Sequence, residues 1–292
     1  MPGSPYTDLS RPPLNGGALR RALVVPGGLW TSLELRTETG STNADVAAAA
    51  RAGADEGLVV VAERQTAGRG RLGRVWQSPP RAGIAVSVLL RPCRPDEVRE
   101  WSAAPVARHG WLPLLAGLAV VEAVARVAEL DAGLKWPNDV LLGGRKCAGV
   151  LAEAVPGARG VPGAVVVGVG LNVTVHADEL PGPDATSLLL AGAAYPDRDP
   201  LLRELLRALA RWYERWRDAS GDPEASGVRR AYLENCRTVG QDVRVSLPGG
   251  QDLIGEAATV DEAGRLVVVD LDGIRQVVAA GDVLHLRPNF DS

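Results

Sequence analysis

Several residue types are nearly missing from this chain. Its 292 residues include two lysines, three cysteines, three histidines, one methionine and one phenylalanine. The cysteines (Cys93, Cys147, Cys236) are odd in number, widely spaced and without a CxxC pair. That excludes a disulfide framework and fits a reducing compartment, so a cytoplasmic setting is expected. The histidines (His109, His176, His285) are scattered too, and no zinc-ligand spacing or other metal set is legible. No uninterrupted apolar run reaches the roughly 18 residues that suggest a membrane span. Residues 1–20 lack the charged-then-apolar order of a secretory leader. A basic excess is lacking as well: the formal net charge of -3 argues against a nucleic-acid footprint. Internal repeats are not visible.

What is there is uneven. Thirty arginines stand against Lys135 and Lys146, so each lysine is conspicuous in an arginine-biased chain. Arg64, Arg69, Arg71, Arg74 and Arg81 crowd together around the run Gly68-Arg69-Gly70-Arg71-Leu72-Gly73-Arg74-Val75-Trp76-Gln77-Ser78. Glycine lets a backbone approach a ligand and take positive φ, and the arginine fork suits carboxylate and phosphate oxygens. The run lacks the closing Lys-Ser/Thr of a P-loop and the glycine spacing of a dinucleotide site. It suits an anionic ligand with a flat apolar face; a solvated basic loop is the alternative.

The length suggests about two domains. Residues 1–30, rich in Pro, Gly, Ser and Arg, read as a flexible tail with one short helix near 18–23. Strands are expected at 33–38, 58–63, 83–91, 146–155 and 164–173, the last two as an antiparallel hairpin. Helices are expected at 44–51, 112–130 and 201–219, with a short one in the connector 221–238. In 201–219 the aromatics Trp212, Tyr213 and Trp216 share the leucine spacing and read as core. After Gly240 the texture changes to five short strands, 242–247, 252–261, 266–270, 276–279 and 283–287, separated by Pro-Gly-Gly, Glu-Ala-Gly and Asp-Gly turns. The fold class is therefore α+β: a mixed sheet packed with helices over 31–238, then a small SH3-like β-barrel over 239–288.

Three more segments stand beside the arginine loop. Ser41-Thr42-Asn43, after Gly40, caps a helix and holds more polar groups than one cap requires. Lys135-Trp136-Pro137-Asn138-Asp139 puts a lysine on a stiff backbone. An ammonium fixed there can neutralise charge gathering between a carboxylate and a phosphoryl group. Gly168-Val169-Gly170-Leu171-Asn172 places glycines in a strand, where either a ligand or another segment comes close. Cys147 reads as packing, since no histidine partner is near in sequence.

In order and spacing, these four segments resemble the biotin protein ligases, as does the 146–153 strand (KCAGVLAE) between them. The resemblance runs from about residue 33 to 287. It implies a class II synthetase-like catalytic domain that makes biotinyl-5′-AMP from biotin and ATP with Mg²⁺. The acyl group then passes to a lysine of a biotin carboxyl carrier protein. By the same resemblance Lys135 and Arg69 are catalytic. Ser41, Thr42, Asn43, Gln65, Gly68, Gly70, Gly149, Gly168 and Gly170 meet biotin or its adenylate together with Arg69, Arg71 and Lys135. Arg71, Arg74, Trp76, Asn138 and Asn172 meet the nucleotide, and the glycine loop closes over the ligand. Some members carry an N-terminal DNA-binding domain; thirty residues before the first strand are too few for one. A monomer or weak homodimer without nucleic-acid or membrane partners is therefore expected. The alternatives are a lipoate or octanoate ligase or transferase of the same fold, and a non-catalytic biotin sensor.

Overall fold

Valine-rich strands in the first half are apolar on both faces, and they assemble into one sheet. The computed structural model describes residues 11–157, 163–247, 251–279 and 281–286. Residues 1–10 of the expected tail, part of the turn after Val155, the Pro248-Gly249-Gly250 turn and Arg287 lie outside them. The sheet holds β1 (Ser32–Arg36), β2 (Leu58–Ala62), β3 (Gly83–Leu90), β4 (Ala132–Lys135), β5 (Asp139–Leu142), β6 (Arg145–Val155) and β7 (Ala164–Asn172). Their order is β1-β2-β3-β7-β6-β5-β4, parallel between β1 and β2 and antiparallel elsewhere. The expected β6–β7 hairpin forms, with Gly149 opposite Gly170 and Leu151 opposite Gly168. The sequence reading missed β4 and β5, four-residue strands around Trp136-Pro137 that are too short for alternation to register.

Helices α1 (Gly16–Leu23), α2 (Thr42–Arg51), α3 (Trp111–Ala123), α4 (Arg198–Asp218) and α5 (Val228–Asn235) pack around this sheet. α3 continues as a π-helical turn, Val124–Ala128, and stops at Glu129, whose φ of 55° is left-handed. The stretch Val106–Ala128 is long and apolar enough to cross a membrane. Here it is the central core helix, against α4 and β6, with Leu112, Leu115, Ala116, Ala119 and Val120 fully buried. α4 turns Leu205, Leu209, Tyr213 and Trp216 into the same core, so its aromatics pack as their spacing indicates.

The expectation of a loose tail does not hold over residues 11–30. Asn15 caps α1 by accepting from the Ala18 N–H, and Leu14, Leu19, Leu23, Leu29 and Trp30 are all buried. The Trp30 indole N–H donates to the Leu206 carbonyl 3.0 Å away. These anchors fall among Pro and Gly at irregular intervals, which is why periodicity missed them.

The second unit is a five-stranded antiparallel sheet of β8 (Asp242–Ser246), β9 (Asp252–Val260), β10 (Leu266–Asp270), β11 (Arg275–Val278) and β12 (Asp282–His285), in the order β11-β10-β9-β8-β12. Two tryptophans of the catalytic unit fasten it. The Trp111 and Trp136 indoles donate to the carbonyls of Glu262 and Gly264 in the β9–β10 turn, at 2.8 and 3.0 Å. The Trp136 amide donates to Thr238 Oγ1. This docking sets β12 beside the Trp136 turn and so carries a strand of the second unit toward the site.

Because Leu19 is fully buried, Leu19→Ala is expected to cost about 2–5 kcal/mol of unfolding free energy. Denaturant titration checks this; a loss under about 0.5 kcal/mol, the surface range, would show that α1 is not part of the cooperative fold.

Candidate active site

Strands β3, β6 and β7, the cap of α2 and the arginine loop enclose a cavity of about 550 Å³. Its wall is completed by residues 179–181 and by Asp282 of the second unit. The polar end is built from the cap. Ser41 accepts from the Ala44 N–H and begins α2. Gln65 Oε1 accepts from the amide and the hydroxyl of Thr42, at 2.8 and 3.1 Å. Ser87 Oγ lies 2.7 Å from Thr42 Oγ1 and 2.6 Å from Asn43 Oδ1. The Asn43 amide donates to Glu153 Oε2 at 2.7 Å. Thr42 and Asn43 are almost fully buried, so each unsatisfied group would be costly. A ligand entering here meets a prearranged set of donors and acceptors.

The β7 glycines make room for side chains. A Cβ on Gly168 would stand 2.0 Å from Asn43 Oδ1, and one on Gly170 would stand 2.4 Å from Trp76 Cε2. Close approach of other segments is one of the two readings the sequence leaves open, and both glycines also line the cavity, as the ligand reading expects. Asn172, also in the wall, is buried and donates to the Thr186 carbonyl.

The arginine loop is a small hairpin. Trp76 N–H donates to the Gly68 carbonyl at 2.9 Å, Gly70 N–H to that of Arg74 at 2.7 Å, and Arg69 pairs with Val75. Its tip has two left-handed residues, Leu72 at φ 55° and Gly73 at φ 74°. Gly68 serves the hairpin, because a Cβ there would meet the Trp76 carbonyl at 2.4 Å; it is absent from the cavity lining. Folding the hairpin lays the Trp76 indole against Gly170 and Gly149.

The ammonium in this cavity belongs to Lys146. Its Nζ lies 2.5 Å from Asp139 Oδ1, an ion pair outside aligned hydrogen-bond geometry. The same nitrogen is 5.7 Å from the centre of the Trp76 ring, within cation–π range. Lys135, expected to be the catalytic lysine, is not among the lining residues. It ends β4 opposite Asp139, and its charge acts on Asp282 and His285 of β12. Asp139, opposite Lys135, and Asp282, on which its charge acts, both line the cavity. The expected catalytic lysine therefore stands beside the lining, while Lys146, which carried no site expectation, is part of it.

Three arginines complete the charge. Arg71 donates to Asn138 Oδ1 at 3.2 Å, while Asn138 donates to the Val150 carbonyl. Burial draws the Arg71 pKa down from its ordinary 12.5, while the nearby carboxylates of Asp139 and Asp282 work against that shift. Arg69 rests on Glu153 at 3.4 Å, with both side chains substantially exposed. Such a pair is worth about 0–1 kcal/mol, so a ligand anion replaces it readily. Arg74 pairs with Asp282. Asp139, a candidate for orienting polar groups or an ion beside the lysine motif, also lines the cavity. Glu179, Leu180, Pro181, Ala185 and Asp282 are lining residues that sequence reasoning did not single out, and none carried a motif. Burial pushes the Cys147 thiol up to about 12, which leaves it a packing residue. Among the described residues no cluster of His, Cys, Asp and Glu is arranged to cage a metal.

Comparisons with known proteins give the chain its family. The biotin/lipoate A/B protein ligase family matches residues 37–172, and the biotin protein ligase C-terminal domain matches residues 238–286. The chain is 47% identical over 284 residues to a biotin–[acetyl-CoA-carboxylase] ligase of Mycobacterium tuberculosis, covering 96% of this chain and 98% of the relative. It is 29% identical over 228 residues to the bifunctional ligase/repressor BirA of Escherichia coli, covering 78% of this chain and 66% of that protein. A biotin protein ligase from Aquifex aeolicus, solved in complex with biotin and ATP, superposes with a TM-score of 0.69 at 27% identity, over 88% of this chain and all of that one.

The hydrogen bond from Arg74 holds the Asp282 carboxyl below its ordinary 3.8. A carboxyl with a lowered folded-state pKa stabilises above its unfolded value and loses that contribution as pH falls through the folded one. The stability difference between wild type and Asp282→Asn is therefore expected to be constant from about pH 5 to 8, and to shrink below about pH 4. Thermal unfolding across that range checks it; a difference that grows on acidification would contradict the pairing.

Proposed function

The chain belongs to the biotin protein ligases of the biotin/lipoate A/B protein ligase family, and from this we propose how its cavity does the work. Its activity is the ATP-dependent attachment of biotin. In the first step a biotin carboxylate oxygen attacks the α-phosphorus of ATP, a P–O bond forms, and pyrophosphate leaves. In the second, the amine of a carrier lysine attacks the acyl carbon and AMP departs. The acceptor on this reading is a biotin carboxyl carrier domain. We keep with it a monomer or weak homodimer in the cytoplasm, without nucleic acid or membrane.

Biotin and the α-phosphate are both anionic, so bringing them together is the first difficulty. Lys135, the lysine of the family motif, meets it on this reading, with Lys146 in the cavity wall as a second ammonium. Asp139 and Asp282, which Lys135 faces in register and in charge, line the cavity together with the Arg71–Asn138 pair. Positioned charge of this kind stabilises the transition state without reorganisation. The ureido ring of biotin, which needs donors and acceptors, fits the polar cluster, and its apolar body fits Val86, Val150 and Val169. The nucleotide takes the other end, along Asn172, Asn138, Arg74 and Trp76. Arg69 exchanges Glu153 for the ligand anion and closes the loop.

Mg²⁺ fits this end as a companion of the triphosphate rather than as a resident ion. Such ions use one or two carboxylates plus substrate phosphates, and Asp139 and Asp282 are the carboxylates beside the cationic groups. Bound there, the ion would shield phosphate charge.

The observation carrying this reading is the charge gathered around Lys135, whose neighbours Asp139 and Asp282 line the cavity with Arg71. Lys135→Ala is expected to cut pyrophosphate release by about 10²–10³-fold, the usual loss of one charge-stabilising donor. Lys146→Ala is expected to cost less. Single-turnover assays with biotin and ATP check both; the reverse order would move the catalytic role to Lys146.

A further inference from the structure

Arg11 lies outside the cavity, yet it is one of the few charged side chains that are almost fully buried, at 9% exposure. Its guanidinium grips Glu179 through both nitrogens, Nη1 to Oε1 at 3.0 Å and Nη2 to Oε2 at 2.5 Å, and also donates to the Thr174 carbonyl. Paired geometry of this kind fixes orientation as well as distance. The post itself is anchored. Leu14 N–H donates to Glu63 Oε1 at 2.7 Å, and Arg198 spans from Glu63 Oε2 to the Pro12 carbonyl at 2.6 and 2.5 Å.

Glu179 is the first of three consecutive cavity residues, followed by Leu180 and Pro181. It also accepts from the His176 N–H at 2.8 Å, closing the turn Ala177–Glu179. The segment then returns to the site. Lys146 N–H donates to the Asp184 carbonyl, Thr186 N–H donates to the Lys146 carbonyl, each at 2.8 Å, and the Asn172 amide donates to the Thr186 carbonyl. One wall of the cavity thus runs from Arg11 to the backbone of Lys146, past Asn172. The biotin-side cluster of Thr42, Asn43, Gln65 and Ser87 shares no hydrogen bond with this wall among the described residues.

We propose that Arg11 is a positioning residue for the nucleotide end of the cavity, acting through Glu179 on the wall of residues 179–186. The proposal rests on the division of the cavity given above, with biotin at the α2 cap and the nucleotide along Asn172. Releasing Arg11 frees the wall to take several positions, and the nucleotide must select one of them. That weakens binding in ground and transition states alike, which raises KM and spares kcat.

The test measures pyrophosphate release by the full chain, varying ATP at saturating biotin and biotin at saturating ATP. Arg11→Ala is expected to raise the KM for ATP about tenfold, with kcat and the KM for biotin within about twofold. Arg11→Lys, which keeps the charge and one donor, should recover part of the loss. Glu179→Gln should reproduce the effect, and the double variant should be no worse than either single one, since both break the same link. Should Arg11→Ala fail to fold, Glu179→Gln carries the test from the cavity side. Unchanged KM for ATP in folded Arg11→Ala, or parallel rises for ATP and biotin, would overturn the proposal. A rise for biotin alone would overturn it together with the division of the cavity. Wild type that releases no pyrophosphate from ATP and biotin would instead contradict the proposed function.

Discussion

A single ammonium, held between a carboxylate and an indole face, is what the rest of the structure is arranged around. The Lys146 ammonium pairs with Asp139 at 2.5 Å and faces the Trp76 ring. The pairing depends on a strand register: β5 sets Asp139 opposite Gly149, close to Lys146 on the same β6 strand. The indole depends on two glycines, because any side chain at Gly170 would displace Trp76. Trp76 in turn depends on the hairpin that folds the arginine loop back through Gly68. Changing any of these residues moves Lys146 relative to the polar end of the cavity.

Strength is distributed in a way that suits a site that must open and close. The interactions that define the walls are buried at Glu63 with Arg198 and at the Ser87 cluster, while the buried Arg11 holds the partly exposed Glu179. Breaking a buried ion pair such as Glu63 with Arg198 costs about 3–5 kcal/mol, because the abandoned charge stays out of water. The interactions that hold the loop are exposed, Arg69 with Glu153 and Arg74 with Asp282. A charged ligand offers hydrogen bonds worth about 1.5–3 kcal/mol, more than an exposed ion pair contributes. On the proposed reading the loop exchanges its resting partners for the ligand while the walls stay. The second unit shares in this, since Trp111 and Trp136 hold it where Asp282 reaches Arg74.

Long signals were legible in the sequence. The valine strands, the β6–β7 hairpin, the amphipathic α4 and the five short strands after Gly240 all announce themselves through periodicity and turns. The polar cap at Ser41-Thr42-Asn43 and the arginine loop were legible from composition, and both line the cavity. What escaped was set by register and distance. β4 and β5 are four residues each, so the turn that sets Lys135 opposite Asp139 could not be seen. Glu179 and Asp282 reach the site from segments with no motif of their own. The anchors of residues 11–30 are single buried side chains, and Arg11 finds its partner 168 residues away.

The central claim is that Lys135 stands where the carboxylate meets the phosphate. A crystal structure of the chain with a non-hydrolysable biotinyl-adenylate analogue tests it most directly. The account predicts Lys135 Nζ within about 3.2 Å of an oxygen at the acyl–phosphate junction, with Arg71 on the phosphate and the polar ring among Thr42, Asn43 and Gln65. A junction remote from Lys135 and contacted by Lys146 alone would contradict it.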